Sequence, residues 1–384
     1  MNVDFLLVAL VIALVIPWVA RIWLKSRLTY TEVAAQMGVV LLVVGIVFGF
    51  GLVGKTWDTE ILNGEITGKE SRHVSCSHDY KCRCHDVKTE SCSTDSNGKR
   101  SCTTSHHEEC DTCYEHSYDV SWFVDTNING EFTVDRIDRR GLGEPPRWTL
   151  FKLGQPFSTT HQYTNYIQAV DASVFNFSFI GQQFVPLIPQ YPLNIYDYQY
   201  IDRVFAKGVN VPDLREWNYG IGLITKNLGP KKQVNVIIIF VNTTDHAYMQ
   251  ALRSAWLGGK KNDIVVVIAT PKYPEIAWVD VLSWSDSELF KVELKDAIHD
   301  LETVDRAKIL TLIHDKTLSS FQRKQMRDFK YLEWEIQPSD GVMWFAIILA
   351  LIGSIGLTWF FSKQDVDFTI MDLFNRNYYR RRRY

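Results

Sequence analysis

Three uncharged apolar runs divide this chain, and they limit its fold more than any motif between them. The first is uncharged from Phe5 to Ala20 and continues through Ile22-Trp23-Leu24 past Arg21. The second, Val33 to Val53, carries no charge over 21 residues, and the third is uncharged from Gly341 to Ser362. A helix needs roughly 20 apolar residues to cross a bilayer's hydrocarbon core, so transmembrane helices are expected at 1–24, 33–53 and 341–362. Pro17 predicts a kink in the first, with Trp18 and Trp23 as interface anchors. A signal peptide fits less well: no basic stretch precedes the run, no small-x-small site follows, and a second span comes at once.

Orientation follows from cations in the short flanks. Arg21, Lys25 and Arg27 lie between the first two spans. Lys363, Arg376 and Arg380-Arg381-Arg382-Arg383 follow the third, while Met1-Asn2-Val3-Asp4 has no side-chain cation. The N-terminus is therefore expected outside, with the 25–32 loop and the 363–384 tail in the cytoplasm. The 287 residues from Gly54 to Asp340 then form a periplasmic or extracellular head. In the tail, Asp367 to Phe374 can form a short helix with Phe368, Met371 and Phe374 on one side. Arg380, Arg381, Arg382 and Arg383 read as a membrane-surface anchor, worth about 1 kcal/mol per basic residue near anionic lipid. Four arginines without a nucleic-acid-binding fold do not predict nucleic-acid binding. The lipid bilayer is the expected partner there.

All seven cysteines fall between Cys76 and Cys113, at Cys76, Cys82, Cys84, Cys92, Cys102, Cys110 and Cys113, interleaved with His73, His78, His85, His106, His107 and His116. Val74 and Val87 are the only large aliphatics between Ser71 and Tyr118. Such a stretch builds no hydrophobic core, so crosslinks must order it. An oxidising compartment makes all seven disulfide candidates. A three-residue Ser96-Asn97-Gly98 loop, with Gly98 at positive φ, sets Cys92 opposite Cys102 in a hairpin. Seven is odd, so one thiol is left free, metal-bound or paired with another chain. No cofactor or metal is the primary expectation. The alternative is zinc on Cys82, Cys84, His85, Cys110, Cys113 and His116, because Cys110-x2-Cys113-x2-His116 has tight ligand spacing. The two Cys-x2-Cys pairs of a zinc ribbon are absent. Redox catalysis fits worst, since Tyr114 to Tyr118 runs into a strand instead of a helix.

The chain as a whole has a globular composition, with net charge −3 and 13% aromatics. After the Cys/His-rich module (54–117) comes a β-rich region (118–209). Tyr118, Val120, Trp122 and Val124 alternate there, followed by Phe132 and Val134, as in a hairpin with a long turn. Asp125-x-Asn127-x-Asn129-Gly130 imitates half a calcium loop, but position twelve is Arg136, so a polar turn is the better reading. Tyr191, Tyr196, Tyr198 and Tyr200 read as packing residues.

The 210–337 stretch reads as α/β. Val234 to Val241 and Ile264 to Ala269 are nearly continuous apolar runs, as in buried parallel strands. Thr244-Asp245 can cap a helix between them that ends at Gly258-Gly259. A strand Ile276 to Ser283 follows, then a Ser285-x-x-Glu288 capping box opening a helix to about Leu301, then helix from about Ser319 to Glu335. Gly220-Ile-Gly222 and Gly258-Gly259 lack phosphate-loop spacing. His161, His246, His299 and His314 stand alone, and Asn176-Phe-Ser178 and Asn242-Thr-Thr244 are glycosylation sequons.

The residues VNVIIIFV, Ala255-Trp256-Leu257-Gly258, Lys260-Lys261-Asn262-Asp263 and IVVVIA resemble the TPM domain, a small α/β module found beside membrane segments. The likeness covers about 210–335. It implies a βαβ core and a link to acid-phosphatase activity or to membrane-protein assembly and repair. Ser283-Trp284-Ser285-Asp286 stands where the family has a glycine-rich turn, so no catalytic residue is carried over.

The expected fold is thus an α+β membrane protein with three transmembrane helices, a Cys-rich hairpin module, a β-rich layer and a TPM-like α/β domain. Its expected role is a non-enzymatic interaction or assembly module of the envelope or a membrane complex, binding proteins outside the membrane or a second copy of itself. The alternative is a membrane-bound, phosphatase-like hydrolase.

Overall fold

The computed structural model describes residues 5–24, 28–94, 100–171, 181–200 and 202–363. Helices α1 (Phe5–Leu24) and α2 (Tyr30–Thr56), with the C-terminal helix Asp340–Lys363, are each long and apolar enough to cross a membrane. Thr29 and Glu32 close a capping box at the start of α2, each side chain taking the other's backbone N–H. The three helices meet through Ala9, Ala13, Val40, Val44, Ile347 and Ala350. One polar contact is buried in this apolar seam: Gln36 Nε2 donates to Ser354 O at 2.6 Å and to Thr358 Oγ1 at 2.8 Å. Lys25, Arg27, the 367–374 segment and Arg380–Arg383 lie outside the described residues, as does the Asn176 sequon.

Strand β1 (Trp57–Val74) starts at the residue after α2, with no linker. The 54–117 stretch is therefore not one module: its first third is a strand of the main sheet. A separate two-stranded ribbon follows, made of β2 (Asp79–Thr94) and β3 (Arg100–Tyr114). The chain then returns in β4 (Asp119–Thr126) and β5 (Gly130–Val134). The short helix α3 (Pro146–Leu150) leads to β6 (Pro156–Thr164) and α4 (Tyr166–Ala169). These strands form an antiparallel sheet ordered β5-β4-β1-β6. The alternating Val120, Trp122 and Val124 meet Ile66, Val134, Phe151 and Phe157 in its core. The calcium-like segment is the β4–β5 turn, where Asn127 Oδ1 accepts the Glu65 N–H at 2.9 Å.

A small hairpin, β7 (Ile195–Tyr196) and β8 (Gln199–Tyr200), precedes the second sheet. That sheet is ordered β12-β11-β10-β9, from β9 (Val204–Lys207), β10 (Asn235–Val241), β11 (Asp263–Ala269) and β12 (Trp278–Ser283). Strands β9, β10 and β11 are parallel and β12 runs antiparallel to β11. Helices α5 (Leu214–Lys232), α7 (Glu288–His299) and α8 (Arg306–Ser320) cover one face through Trp217, Ile221, Phe290, Leu294, Ile309 and Ile313. Helix α6 (Tyr248–Ala255) covers the other through Tyr248, Met249 and Leu252. With both faces covered, the strands carry apolar side chains at nearly every position.

Three local expectations change. Ser287, not Ser285, caps α7, its side chain accepting the Phe290 N–H. The expected helix 319–335 is instead α8, which stops at Ser320, and a 3-10 turn, Met326–Glu335. Strand β9 places 204–207 in the α/β sheet and not in the preceding β-rich region. The C-terminal helix α9 (Asp340–Lys363) then packs its start on α2, where a Cβ at Gly51 would lie 2.7 Å from Val342 and 2.9 Å from Pro338.

The two sheets are bolted together by buried polar groups. Glu60 on β1 is fully buried and takes Arg323 Nη2 on both carboxylate oxygens at 2.6 Å. Lys261 Nζ at 3.3 Å and His161 Nδ1 at 2.9 Å complete its shell. Burial lowers the Lys261 pKa, and the facing Glu60 partly restores it. Asp58 accepts from Tyr163 at 2.7 Å and Asn165 at 2.8 Å and pairs with Lys260. Asn262 Nδ2 donates to Ile61 O at 2.7 Å, and Gly229 of α5 rests directly on the Asn63 backbone.

Candidate metal centre at the base of the disulfide ribbon

The β2–β3 ribbon is a ladder of covalent rungs. Cys92 and Cys102 are directly opposed in the register and form a disulfide, as the hairpin spacing predicted. The 95–99 loop that motivated the prediction lies outside the described residues. A bulge between Cys82 and His85, with Arg83 at φ 45°, adds one residue to β2. Beyond it, Cys84 bonds Cys110 and Cys82 bonds Cys113. Most described side chains along both strands are exposed, and Cys82, Val87, Cys110 and Cys113 are half-buried.

These bridges leave the alternative zinc set without its thiolates. Cys82, Cys84, Cys110 and Cys113 are spent in disulfides and offer no thiolate, and His85 Nδ1 lies 3.5 Å from the Arg83 carbonyl. Of that set, Cys84 and Cys110 lie together beside Glu108 but are bonded to each other, and His116 belongs to a second cluster of potential ligands. The odd cysteine is Cys76: it is a free thiol, 7% exposed.

Cys76 and His78 sit on the turn entering the ribbon, and His116 and Asp119 on the segment leaving it. Closure of the base, where the Glu115 N–H donates to His78 O at 3.1 Å, brings the two turns together. One ligand atom from each of Cys76, His78, His116 and Asp119 then lies within 4.8 Å of the others. His78 Nδ1 is 3.9 Å from Cys76 Sγ and 3.7 Å from Asp119 Oδ2, while His116 Nε2 is 2.6 Å from Asp119 Oδ1.

Asp119 is fully buried at the centre of this group. Its Oδ2 accepts the Ser77 backbone N–H and hydroxyl, each at 2.9 Å, and Arg136 Nη1 at 2.8 Å. Those donors, led by the Ser77 N–H, hold its carboxyl well below the usual carboxylate range. Arg136 is itself positioned by Ser121 Oγ at 2.8 Å. A cleft of about 630 Å³, lined by Cys76, Tyr80, Thr112 and His116, opens the cluster to solvent.

The spacings Cys76-x-His78 and His116-x2-Asp119 were present in the sequence. Extending the Cys92–Cys102 register outward to the ends of the hairpin makes them neighbours. Asp119 occupies a polar position of an alternating strand, and nothing in its local sequence marks it as a ligand.

No protein-family profile, curated protein or solved structure matches this chain.

Proposed function

We propose that this is an integral membrane protein with an extracytoplasmic head and a cytoplasmic tail. Its β2–β3 ribbon is an interaction surface on which a protein partner, or a second copy of the chain, assembles. One observation carries this reading: a ribbon with no apolar core, exposed along its length, is nonetheless fixed by three disulfides. An isolated two-stranded hairpin is marginally stable in water, so the crosslinks hold a shape that the ribbon's own packing does not. A rigid, exposed, polar shape of this kind serves recognition. The β9–β12 unit, read as TPM-like, is in this view the platform that holds the ribbon relative to the membrane.

The test replaces 79–114 by a short turn, since residues 78 and 115 already meet through a backbone hydrogen bond. Assembly size in native membranes and the associated phenotype are compared with the intact chain. Loss of the higher-order assembly, with the tryptophan-reported fold unchanged, supports the proposal. Unaltered assembly and phenotype reject it.

A further inference from the structure

We propose that Cys76, His78, His116 and Asp119 form a zinc site that closes the base of the ribbon. A thiolate, two imidazoles and a carboxylate are an ordinary zinc donor set for four-coordinate binding. The distances decide for it. Bonds of about 2.0–2.3 Å in a tetrahedron place neighbouring ligand atoms roughly 3.3–3.6 Å apart. The contact of His78 Nδ1 with Cys76 Sγ, at 3.9 Å, is already close to that separation, and one ligand atom from each of the four residues lies within 4.8 Å of the others. The 2.6 Å hydrogen bond between His116 Nε2 and Asp119 Oδ1 must open, by under 1 Å, as the metal takes the proton's place.

The surroundings suit the assignment. Ser77 and Arg136 hold Asp119 through Oδ2, which leaves Oδ1 to face the ion, the outer-shell support expected of a ligating carboxylate. The thiolate and carboxylate balance the ion's two positive charges, with Arg136 the only other charged group hydrogen-bonded to Asp119 among the described residues. The assignment also accounts for a buried thiol left unpaired beside three disulfides, because a zinc thiolate is held out of thiol–disulfide exchange. Binding releases the Cys76 thiol proton to solvent, while His116 keeps one proton but carries it on Nδ1.

Stripped full-length protein in detergent is titrated with Zn²⁺, and with Co²⁺ as a spectroscopic probe. One ion per chain is expected, with a sulfur-to-cobalt charge-transfer band that disappears in Cys76→Ser. Affinity should fall at least about 10–100-fold in Cys76→Ser and in His78→Gln. The pair His106→Gln/His107→Gln, on the exposed ribbon, should bind as the wild type does. Intact mass showing the three disulfides retained confirms that each variant has folded, and Asp119 is left unmutated because it organises the turn. The proposal is overturned if the wild type binds no stoichiometric zinc, if binding survives Cys76→Ser but is lost in the His106/His107 variant, or if Cys76 is recovered in an intermolecular disulfide.

Discussion

Reduction of the ribbon under native conditions should unfold it without unfolding the rest of the head. The bridges span sequence separations of 10, 26 and 31 residues. Taken singly, loop-closure entropy assigns them about 2.7, 3.5 and 3.7 kcal/mol. They are nested, so the inner two act on a chain the outer one has already closed, and the three values do not add. The outer bridge alone is enough to decide the outcome. A polar, exposed hairpin starts near zero stability, and about 3.7 kcal/mol shifts its open population about 500-fold. No cysteine belongs to the cores of the two sheets, and no tryptophan lies in 79–114. Tryptophan fluorescence therefore reports everything except the ribbon. Trypsin reports the ribbon through Lys81, Arg83, Lys88 and Arg100. A phosphine reductant should raise cleavage at these sites by up to that factor while the fluorescence melt stays in place. A melt that drops together with reduction would show that the ribbon is part of the main cooperative unit. An unchanged cleavage pattern would show that its strands do not need the crosslinks. Either result refutes the reasoning.

The remaining predictions concern the weld between the sheets. Arg323→Ala leaves Glu60 buried with a thinner shell and should cost about 3 kcal/mol in chemical denaturation, near the lower end for a broken buried pair because Lys261 remains. Gly229→Ala puts a Cβ 1.7 Å from Asn63 O and should destabilise by at least about 1–3 kcal/mol, read by thermal melting. Asp263 is buried, and desolvation pushes its carboxyl up to about 6. A raised carboxyl favours folding in its protonated form, so its contribution is complete below an ordinary pKa of about 3.9 and is lost as pH rises through about 6. The loss is about 3 kcal/mol by pH 8, and Asp263→Asn should flatten that part of the stability profile between pH 4 and 8. A wild-type slope retained in the variant removes Asp263 as its source.

Legibility in the sequence followed the range of the interactions involved. The three helices long and apolar enough to cross a membrane were readable because each rests on one long uncharged apolar run. The β10–α6–β11 unit was readable because sheets covered on both faces force runs such as VNVIIIFV. The β4–β5 hairpin followed from strict alternation at Val120, Trp122 and Val124. What escaped was set at long range. Trp57–Val74 mixes Asn63, Gly64, Glu65, Gly68 and Lys69 into a strand because its first half, to Glu65, pairs with β6 and its second half, from Ile66, pairs with β4. Glu60 looks like an ordinary surface residue until Arg323, 263 positions away, is brought against it. Helix α8 was missed because RAKILTLIHDKTLSS has only a narrow apolar stripe, of which Ile309 and Ile313 are fully buried. The cysteine module was legible as crosslinked, but its pairing depended on a bulge at Arg83 that composition does not announce.

The weld and the rungs act on one mechanical path. Strand β1 leaves α2 without a linker and runs 18 residues, about 60 Å of strand, to the ribbon's base. The ribbon adds strands of 16 and 15 residues, about 50 Å. At the other end of the head, Pro338 and Val342 seat α9 against Gly51 of α2. Long exposed ribbons bend easily, and a bend anywhere along this path would spread the tip over a large volume. Contacts stiffen this path at several places: Glu60 and Asp58 along β1, the Asp119 cluster at the base, and the disulfides beyond. A zinc ion at Cys76, His78, His116 and Asp119 would stiffen the joint between Val74 and Asp79, where the ladders of β1 and β2 both end. Metal supply would then set how narrowly the ribbon is aimed without altering the fold on either side of that joint.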